Sequence, residues 1–151
     1  RQMCIRDRYS AYGEGWALYS ESLGKELGLY EDPYQYFGML SAEMHRAIRL
    51  VVDTGIHTKG WSREKAIEYS LENEAESEAS IISEIERYMA NPGQALSYKI
   101  GQLKILQLRK KAENELGENF NIKIFHRKVL ESGCIPLELL EDKIDRWINS
   151  F

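Results

Sequence analysis

The sequence predicts an all-α protein, and three observations carry that prediction. Apolar residues recur at helical spacing along most of the 151 residues, and no segment alternates in the manner of a half-buried strand. Only three prolines occur, at positions 33, 92 and 136, and each stands where a periodic run begins, the place where a helix tolerates proline. Glycines follow several of these runs, as is typical of helix ends.

About seven helices are predicted, at residues 12–28, 33–58, 62–73, 76–90, 92–117, 122–132 and 136–149. The first ends at Gly28 and the second at Lys59-Gly60, while Ser62 precedes the third with a short oxygen acceptor and is a predicted N-cap. The acidic segment 72–78 separates the third helix from the fourth. Asn91 ends the fourth, and Pro92 opens the fifth.

The last two helices are bounded by similar signals. Gly117 and Gly133 fall where a residue beyond the final helical turn adopts the left-handed conformation. Asn121 is the predicted N-cap of the sixth helix, and Pro136 opens the seventh. No internal repeat or low-complexity segment interrupts this series.

The composition excludes two classes of partner. Hydrophobic residues make up 43% of the chain and charged residues 29%, the balance of an ordinary globular domain. The net charge is -4 and no basic block occurs, so nucleic acid is not an expected partner. No apolar run approaches the roughly 20 residues of a membrane helix, so no membrane segment is predicted. Nothing in the sequence indicates a localisation.

The first eight residues do not fit the rest of the chain. They resemble a translated sequencing adapter of the kind found at the ends of metagenomic assemblies, so we interpret 1–8 as an artefact and 9–151 as the genuine chain. Without Cys4 only Cys134 remains, and one cysteine forms neither an internal disulfide nor a thiolate zinc site. On this interpretation, an N-terminal part of the protein is missing.

The first helix carries an acid in an apolar and aromatic setting. Glu14 stands between two glycines and just before Trp16, and it shares a helix face with Leu18 and Glu21 at i, i+4 and i+7. A carboxylate in such surroundings is costly to desolvate unless a positive group meets it. That group is either an arginine or a metal ion, and spacing alone favours the arginine.

The second helix carries Arg49, Asp53 and His57 at steps of four residues. Asp53 is placed to accept from both neighbours, which would fix the histidine tautomer and leave one ring nitrogen for a ligand or a proton. A satisfied core network is an equal alternative. His45 and His126 are weaker candidates: His45 is predicted to be a surface or packing residue, and His126 a core residue bonded to backbone.

The fifth helix combines Tyr98 with Gly101. A glycine in mid-helix costs about 1 kcal/mol relative to alanine, and it usually permits a backbone or a ligand to come close. The Tyr98 hydroxyl is therefore a candidate for stabilising an oxyanion, although a core tyrosine bonded to a carbonyl is the commoner case. Arg87, at the end of the preceding helix, is a candidate for gripping a carboxylate.

Taken together, these segments resemble the C-terminal portion of the bacterial family called domain of unknown function 885. The resemblance rests on Glu14-Gly-Trp-Ala-Leu-Tyr, on Arg46-Ala-Ile-Arg-Leu-Val-Val-Asp-Thr-Gly-Ile-His57 and on Pro92-Gly-Gln-Ala-Leu-Ser-Tyr-Lys-Ile-Gly101. It spans about residues 9 to 150, nearly the whole genuine chain.

The resemblance implies a function. Full-length members look like gluzincin-type zinc metallopeptidases with a helical fold akin to carboxypeptidase Taq. In that plan an upstream His-Glu-x-x-His helix provides two zinc ligands and the general base, and Glu14 matches the later third ligand. Tyr98 and His57 are then the catalytic candidates, with Asp53 and Glu21 in supporting positions. Arg49, Arg87 and Lys99 are the candidates for binding a peptide substrate.

This sequence departs from the family pattern, because it contains no His-Glu-x-x-His. The chain is therefore expected to be a fragment, with no tightly bound metal and no peptidase activity by itself, and zinc is expected only in the full-length parent. A fragment should also expose an apolar patch, for which Tyr12, Trp16 and Tyr19 are the candidates. The alternative is a non-catalytic helical domain that serves in binding or as a scaffold.

Overall fold

The architecture is all-α, as predicted. The computed structural model describes residues 9–151, and these form seven α-helices with no strand among them. The helices are α1 (Ser10–Glu26), α2 (Pro33–Lys59), α3 (Arg63–Asn73), α4 (Glu78–Ala90), α5 (Ser97–Leu116), α6 (Ile122–Leu130) and α7 (Leu137–Ile148). Residues 1–8, which we interpret as an adapter sequence, lie outside the described residues.

The predicted helix ends are mostly confirmed. The Ser62 hydroxyl accepts from the Lys65 amide, and the Asn121 side chain accepts from two amides of the first turn of α6. Gly28, Gly117 and Gly133 all have positive φ, at 70°, 52° and 68°. The ψ of Gly117 is -121°, so its predicted left-handed helical conformation is not formed.

The start of the fifth helix was predicted too early. Pro92 does not open α5, because Gly93 takes a left-handed conformation with φ of 79° and turns the chain. A short 3₁₀ turn, Gln94–Leu96, follows before α5 begins at Ser97. Pro92 therefore belongs to this tight turn, and sequence periodicity does not distinguish such a turn from a helix start.

Two hydrophobic cores divide the helices. One is formed by α1, α5, α6 and α7 around residues such as Tyr19, Phe125 and Ile144. The other is formed by α2, α3, α4 and the 3₁₀ turn around residues such as Val52 and Ile85. The two cores meet where α2 contacts α5 and α1. Within residues 9–151, no helix is both long and apolar enough to cross a bilayer.

The prediction that α1 exposes an aromatic patch is wrong for Tyr12 and Tyr19. Tyr12 is only 6% exposed and Tyr19 is fully buried, because α6 covers both. The Tyr12 hydroxyl donates to the Val129 carbonyl, and the Tyr19 hydroxyl bonds His126. Trp16 is half-buried against the same core.

Candidate functional site

The site is organised by a close contact between the backbones of α1 and α5. A methyl group on Gly15 would lie 2.4 Å from the Cα of Gly101, and one on Gly101 would lie 1.8 Å from the Ala11 carbonyl oxygen. Neither position has room for a side chain. The prediction that Gly101 admits a second backbone is confirmed, and the glycine after Glu14 is what meets it.

The two helices run in the same direction. The Ser10 and Ser97 hydroxyls, each at the beginning of its helix, lie 2.8 Å apart. Arg109, late in α5, binds the Glu26 carboxylate at the end of α1 through two nitrogens, at 2.7 and 2.9 Å. Equivalent ends therefore lie together.

This orientation places Glu14 and Tyr98 on one side of the helix pair. On α1, Tyr12 lies on the flank that contacts α6, and helical spacing puts Glu14 on the opposite flank. On α5, Lys104 reaches Glu141 of α7 at 3.0 Å, and Tyr98 lies on the opposite flank of Gly101. For parallel helices, these two flanks face the same way.

Glu14 has no protein partner among the described residues. Eight acidic side chains of residues 9–151 are buried or half-buried, and every one but Glu14 has a hydrogen-bond or ion-pair partner. The other seven are Glu43, Asp53, Glu74, Glu84, Glu113, Glu141 and Asp145. Within this range the arginine that spacing favoured as its partner is not found. Glu21 is exposed and its carboxylate also makes no hydrogen bond there.

Tyr98 is another candidate residue whose side chain has no hydrogen-bonding partner in the described part. The residue is half-buried, and the guanidinium carbon of Arg49 lies 5.2 Å from the centre of its ring. That cation–π contact stabilises the orientation of the Tyr98 ring. The hydroxyl makes no hydrogen bond to residues 9–151, so it can donate to a group from elsewhere.

Arg49 and Arg87 are engaged with one internal carboxylate. Glu84 accepts from Arg49 at 2.8 Å, from Arg87 at 2.7 Å and from the Tyr88 hydroxyl at 2.9 Å. The hydrogen bond from Arg87, followed by that from Tyr88 and the charge of Arg49, lowers the pKa of Glu84 to about 2. Burial raises the pKa of Tyr88. Glu84 is a residue that the sequence analysis did not single out.

The proposed Arg49–Asp53–His57 chain is not formed. Asp53 is buried, and both of its oxygens accept from the Gly93 amide at 3.1 Å. His57 is exposed, and its Nε2 lies 3.0 Å from the Tyr88 carbonyl oxygen, so Nε2 carries the proton and donates. The turn before α5 packs against α2, and its Gly93 amide binds Asp53. Asp53 therefore does not join Arg49 to His57.

The two other histidines have side-chain partners. His45 donates from Nδ1 to Glu74 and accepts at Nε2 from Arg49 at 3.0 Å, so it belongs to the polar network rather than to the free surface. His126 bonds the Tyr19 hydroxyl at 2.8 Å, not a backbone group as predicted. Burial, with a further contribution from Arg109, lowers the pKa of His126.

Lys99 is also held internally. Its ammonium group forms an ion pair with Glu43 of α2 and donates to the Gln102 side chain at 2.8 Å. Together with Arg49 over Tyr98, this pair fastens α2 to α5 on the side of the helix pair where Tyr98 lies.

Arg46 is a further residue that the sequence analysis missed as a candidate. Its Nε is buried and has no hydrogen-bond partner, the one such side-chain nitrogen or oxygen within residues 9–151. The same guanidinium donates through Nη1 to the Ala42 carbonyl at 2.8 Å. Arg46 lies on α2 between Glu43 and Arg49, which both contact α5. One nitrogen of this guanidinium is therefore unsatisfied within residues 9–151 while another is engaged.

Metal ligands are sparse in the described part of the chain. No group of three or more His, Cys, Asp or Glu side chains in residues 9–151 is arranged to hold a metal ion. The geometry therefore offers Glu14 as a single carboxylate donor, and a tetrahedral zinc site needs further ligands from other residues.

Comparison with known proteins agrees with the fold. The chain superposes with a TM-score of 0.91 on a structure described as that of "the putative lipoprotein from Colwellia psychrerythraea", with 51% sequence identity. The match covers 94% of this chain and 24% of that one, so the chain spans about a quarter of the length of this relative. No curated protein matched the chain. The family model described as "Bacterial protein of unknown function (DUF885)" matches residues 2–144. The chain therefore belongs to this bacterial family.

Proposed function

We propose that this segment is part of a zinc-dependent peptidase and that Glu14 supplies the third zinc ligand. One observation carries the proposal: Glu14 is the single half-buried acid of residues 9–151 without a partner, and it adjoins the fixed contact of Gly15 with Gly101. A ligand carboxylate must be both rigidly placed and uncommitted. The resemblance of the Glu-Gly-Trp-Ala segment to the later glutamate of gluzincins supports the same role.

The residues of this chain then have distinct tasks. The centre itself would activate a water molecule for attack on a peptide carbonyl, with two histidines and the general base coming from a His-Glu-x-x-His helix outside this segment. Glu14 contributes one anionic ligand. The Tyr98 hydroxyl donates a hydrogen bond to the oxyanion that forms on the carbonyl oxygen. His57, with Nε2 bound to the Tyr88 carbonyl, has its other ring nitrogen available as an acceptor.

Arg46 is a further candidate for anchoring a substrate carboxylate. Arg49 and Arg87 both bind Glu84, and Lys99 binds Glu43, so each would have to leave a partner before it met a substrate. The Nε of Arg46 lacks a partner, but it is buried, so this side chain would have to move before Nε met a substrate. After such a movement, a contact from its guanidinium would orient a peptide by its terminal carboxylate.

The test uses the longer reading frame that contains this segment. The purified protein is expected to contain one zinc ion per chain by mass spectrometry of metals and to hydrolyse peptides. Glu14→Gln should lose most of its zinc and its turnover, because the amide is a neutral and weaker ligand. Glu115→Gln, an exposed acid late in α5 that makes no hydrogen bond to residues 9–151, is the control and should retain both. Full zinc occupancy and normal turnover in Glu14→Gln would overturn the assignment.

A non-catalytic binding or scaffold domain is the second candidate. The observation in its favour is that Arg49, Arg87, Lys99 and Asp53 all have internal partners, as in a purely structural network. If the longer reading frame encodes no His-Glu-x-x-His and its product holds no zinc, this function replaces the peptidase.

A further inference from the structure

Helix α2 carries one apolar stripe, and only part of the stripe is covered. Ile48 and Val52 on this stripe are buried, where the second half of α2 packs against α3 and α4. Four other apolar residues at helical spacing along the stripe are uncovered, and we call them the α2 outer face. They are Phe37, Leu40, Met44 and Val51, and they are 64%, 43%, 52% and 39% exposed.

Such a distribution is unusual for a helix that stays on a surface. The apolar stripe of a surface helix normally faces a core along its length, whereas Phe37, Leu40 and Met44 on this stripe have no covering element in residues 9–151. Tyr34, which is 83% exposed, extends the apolar surface toward the beginning of α2. Contiguous exposed apolar surface of this kind marks a contact with another part of a protein or with a partner.

We propose that the α2 outer face is covered by the part of the family polypeptide that lies outside this segment. The segment corresponds to 24% of the Colwellia psychrerythraea chain and superposes on it at a TM-score of 0.91. Its helices therefore keep their arrangement inside a polypeptide about four times as long. That remainder must contact this segment somewhere, and the α2 outer face is an apolar helix face with no covering element in residues 9–151.

A second copy of the chain fits this face less well. The four residues lie within 15 positions of one helix, a span of roughly 21 Å. A stable dimer normally buries about 20–30 residues on each partner. The face is too narrow to hold two copies together by itself, but it is wide enough for one or two helices of the same polypeptide. This inference does not depend on the proposed zinc chemistry.

The experiment measures the accessibility of single cysteines in two settings. Phe37→Cys and Met44→Cys are made after Cys4 and Cys134 have been changed to serine. Each is labelled with a maleimide in the 151-residue chain and in a chimera where this chain replaces the matching quarter of the Colwellia protein. Ser83→Cys, at an exposed position of α4, is the control.

The two α2 cysteines are expected to react at least about tenfold more slowly in the chimera than in the isolated chain, because burial blocks the reagent. The Ser83→Cys rate should be the same in both settings. Equal rates at Phe37→Cys and Met44→Cys in the two settings would overturn the proposal. So would protection in the isolated chain that increases with protein concentration, since that result identifies a second copy as the occupant.

A second measurement guards against a chimera that does not fold. Hydroxyl-radical footprinting of the unaltered Colwellia protein reports on the positions aligned with Phe37 and Met44. Low modification there, with high modification at the position aligned with Ser83, is the expected result. Modification of the aligned α2 positions to the same extent as the Ser83 position would contradict the proposal.

Discussion

At the scale of single residues, Glu84 connects the core of α2, α3 and α4 to Tyr98 of the candidate site. Its carboxylate accepts from Arg49, Arg87 and Tyr88, and Arg49 in turn covers the Tyr98 ring. One acid therefore holds two arginines that the family resemblance suggested for substrate binding. Neutralising this acid should loosen the support of Tyr98 as well as the fold.

Glu84→Gln should lower the free energy of unfolding by about 2 kcal/mol at pH 7, since charge-assisted hydrogen bonds are lost. The folded-state pKa of Glu84, about 2, lies below the ordinary 4.5. Its stabilisation is thus fully present above about pH 4.5 and is lost as the pH falls toward about 2. Urea unfolding from pH 7 down to pH 3 should show the difference between Glu84→Gln and the unsubstituted chain shrinking.

The exposed pair of Arg63 with Glu86 is the matched control for that experiment. Glu86 is 55% exposed at its side chain, so Glu86→Gln should cost no more than about 0.5 kcal/mol at any pH. A Glu84→Gln difference that stays constant with pH, or that equals the Glu86→Gln effect, would show that the network does not have the charge state described.

Some of these residue contacts could be predicted from the sequence and others could not. The N-caps Ser62 and Asn121 and the close approach at Gly101 follow from local chemistry, because each depends on a few neighbouring residues. The partners of Arg49 and Asp53 were missed because Glu84 and Gly93 lie 35 and 40 positions away. At i+4 spacing, neighbours on one helix look like partners until another helix offers a better acceptor.

At the scale of helices, the contact between α1 and α5 is sensitive to a single methyl group. Gly101→Ala should destabilise the chain by about 3 kcal/mol, because the added carbon meets main-chain atoms that cannot rotate away. Gly13→Ala, two residues from Gly15 on α1, meets nothing within 4 Å and should stabilise by up to about 1 kcal/mol. Thermal unfolding of the two variants measures the loss of stability in Gly101→Ala and the gain in Gly13→Ala. Similar effects at both positions would contradict the close contact.

Helix boundaries show where local patterns are sufficient. Proline predicted the beginning of α2 well, since Asp32 caps it and Pro33 occupies its first turn. The same signal failed at Pro92, where the next residue is a glycine that adopts a left-handed turn. A proline followed by glycine indicates a turn as readily as a helix start, and only the contact of Gly93 with Asp53 distinguishes them.

At the scale of the whole molecule, the two cores should open as separate units. Ile85→Val in the second core should weaken amide protection in α2, α3 and α4 by about 1 kcal/mol, with a smaller effect on α6 and α7. Ile144→Val in the first core should show the opposite pattern. Native-state hydrogen exchange followed by mass spectrometry measures both. Uniform loss of protection across all helices in either variant would mean that the cores open together.

The fold class was predictable because periodicity is a property of each segment. The division into two cores was not, because it depends on which helices meet. The apolar residues of α1 gave no sign that α6 would cover Tyr12 and Tyr19, and those of α2 gave no sign that Phe37 would stay exposed. Amphipathic helices specify that they will be buried, but not against which partner.

The meeting of Gly15 with Gly101 has a consequence for how precisely Glu14 and Tyr98 are held. Most helix pairs are spaced by interlocking side chains, which shift when a neighbour is replaced. Here main-chain atoms touch directly, and main-chain atoms have no rotamers. The offset between the two helices is therefore set by main-chain contact, and no side-chain rotation can change it. Mutations in the surrounding core would destabilise the fold before they changed the offset between α1 and α5.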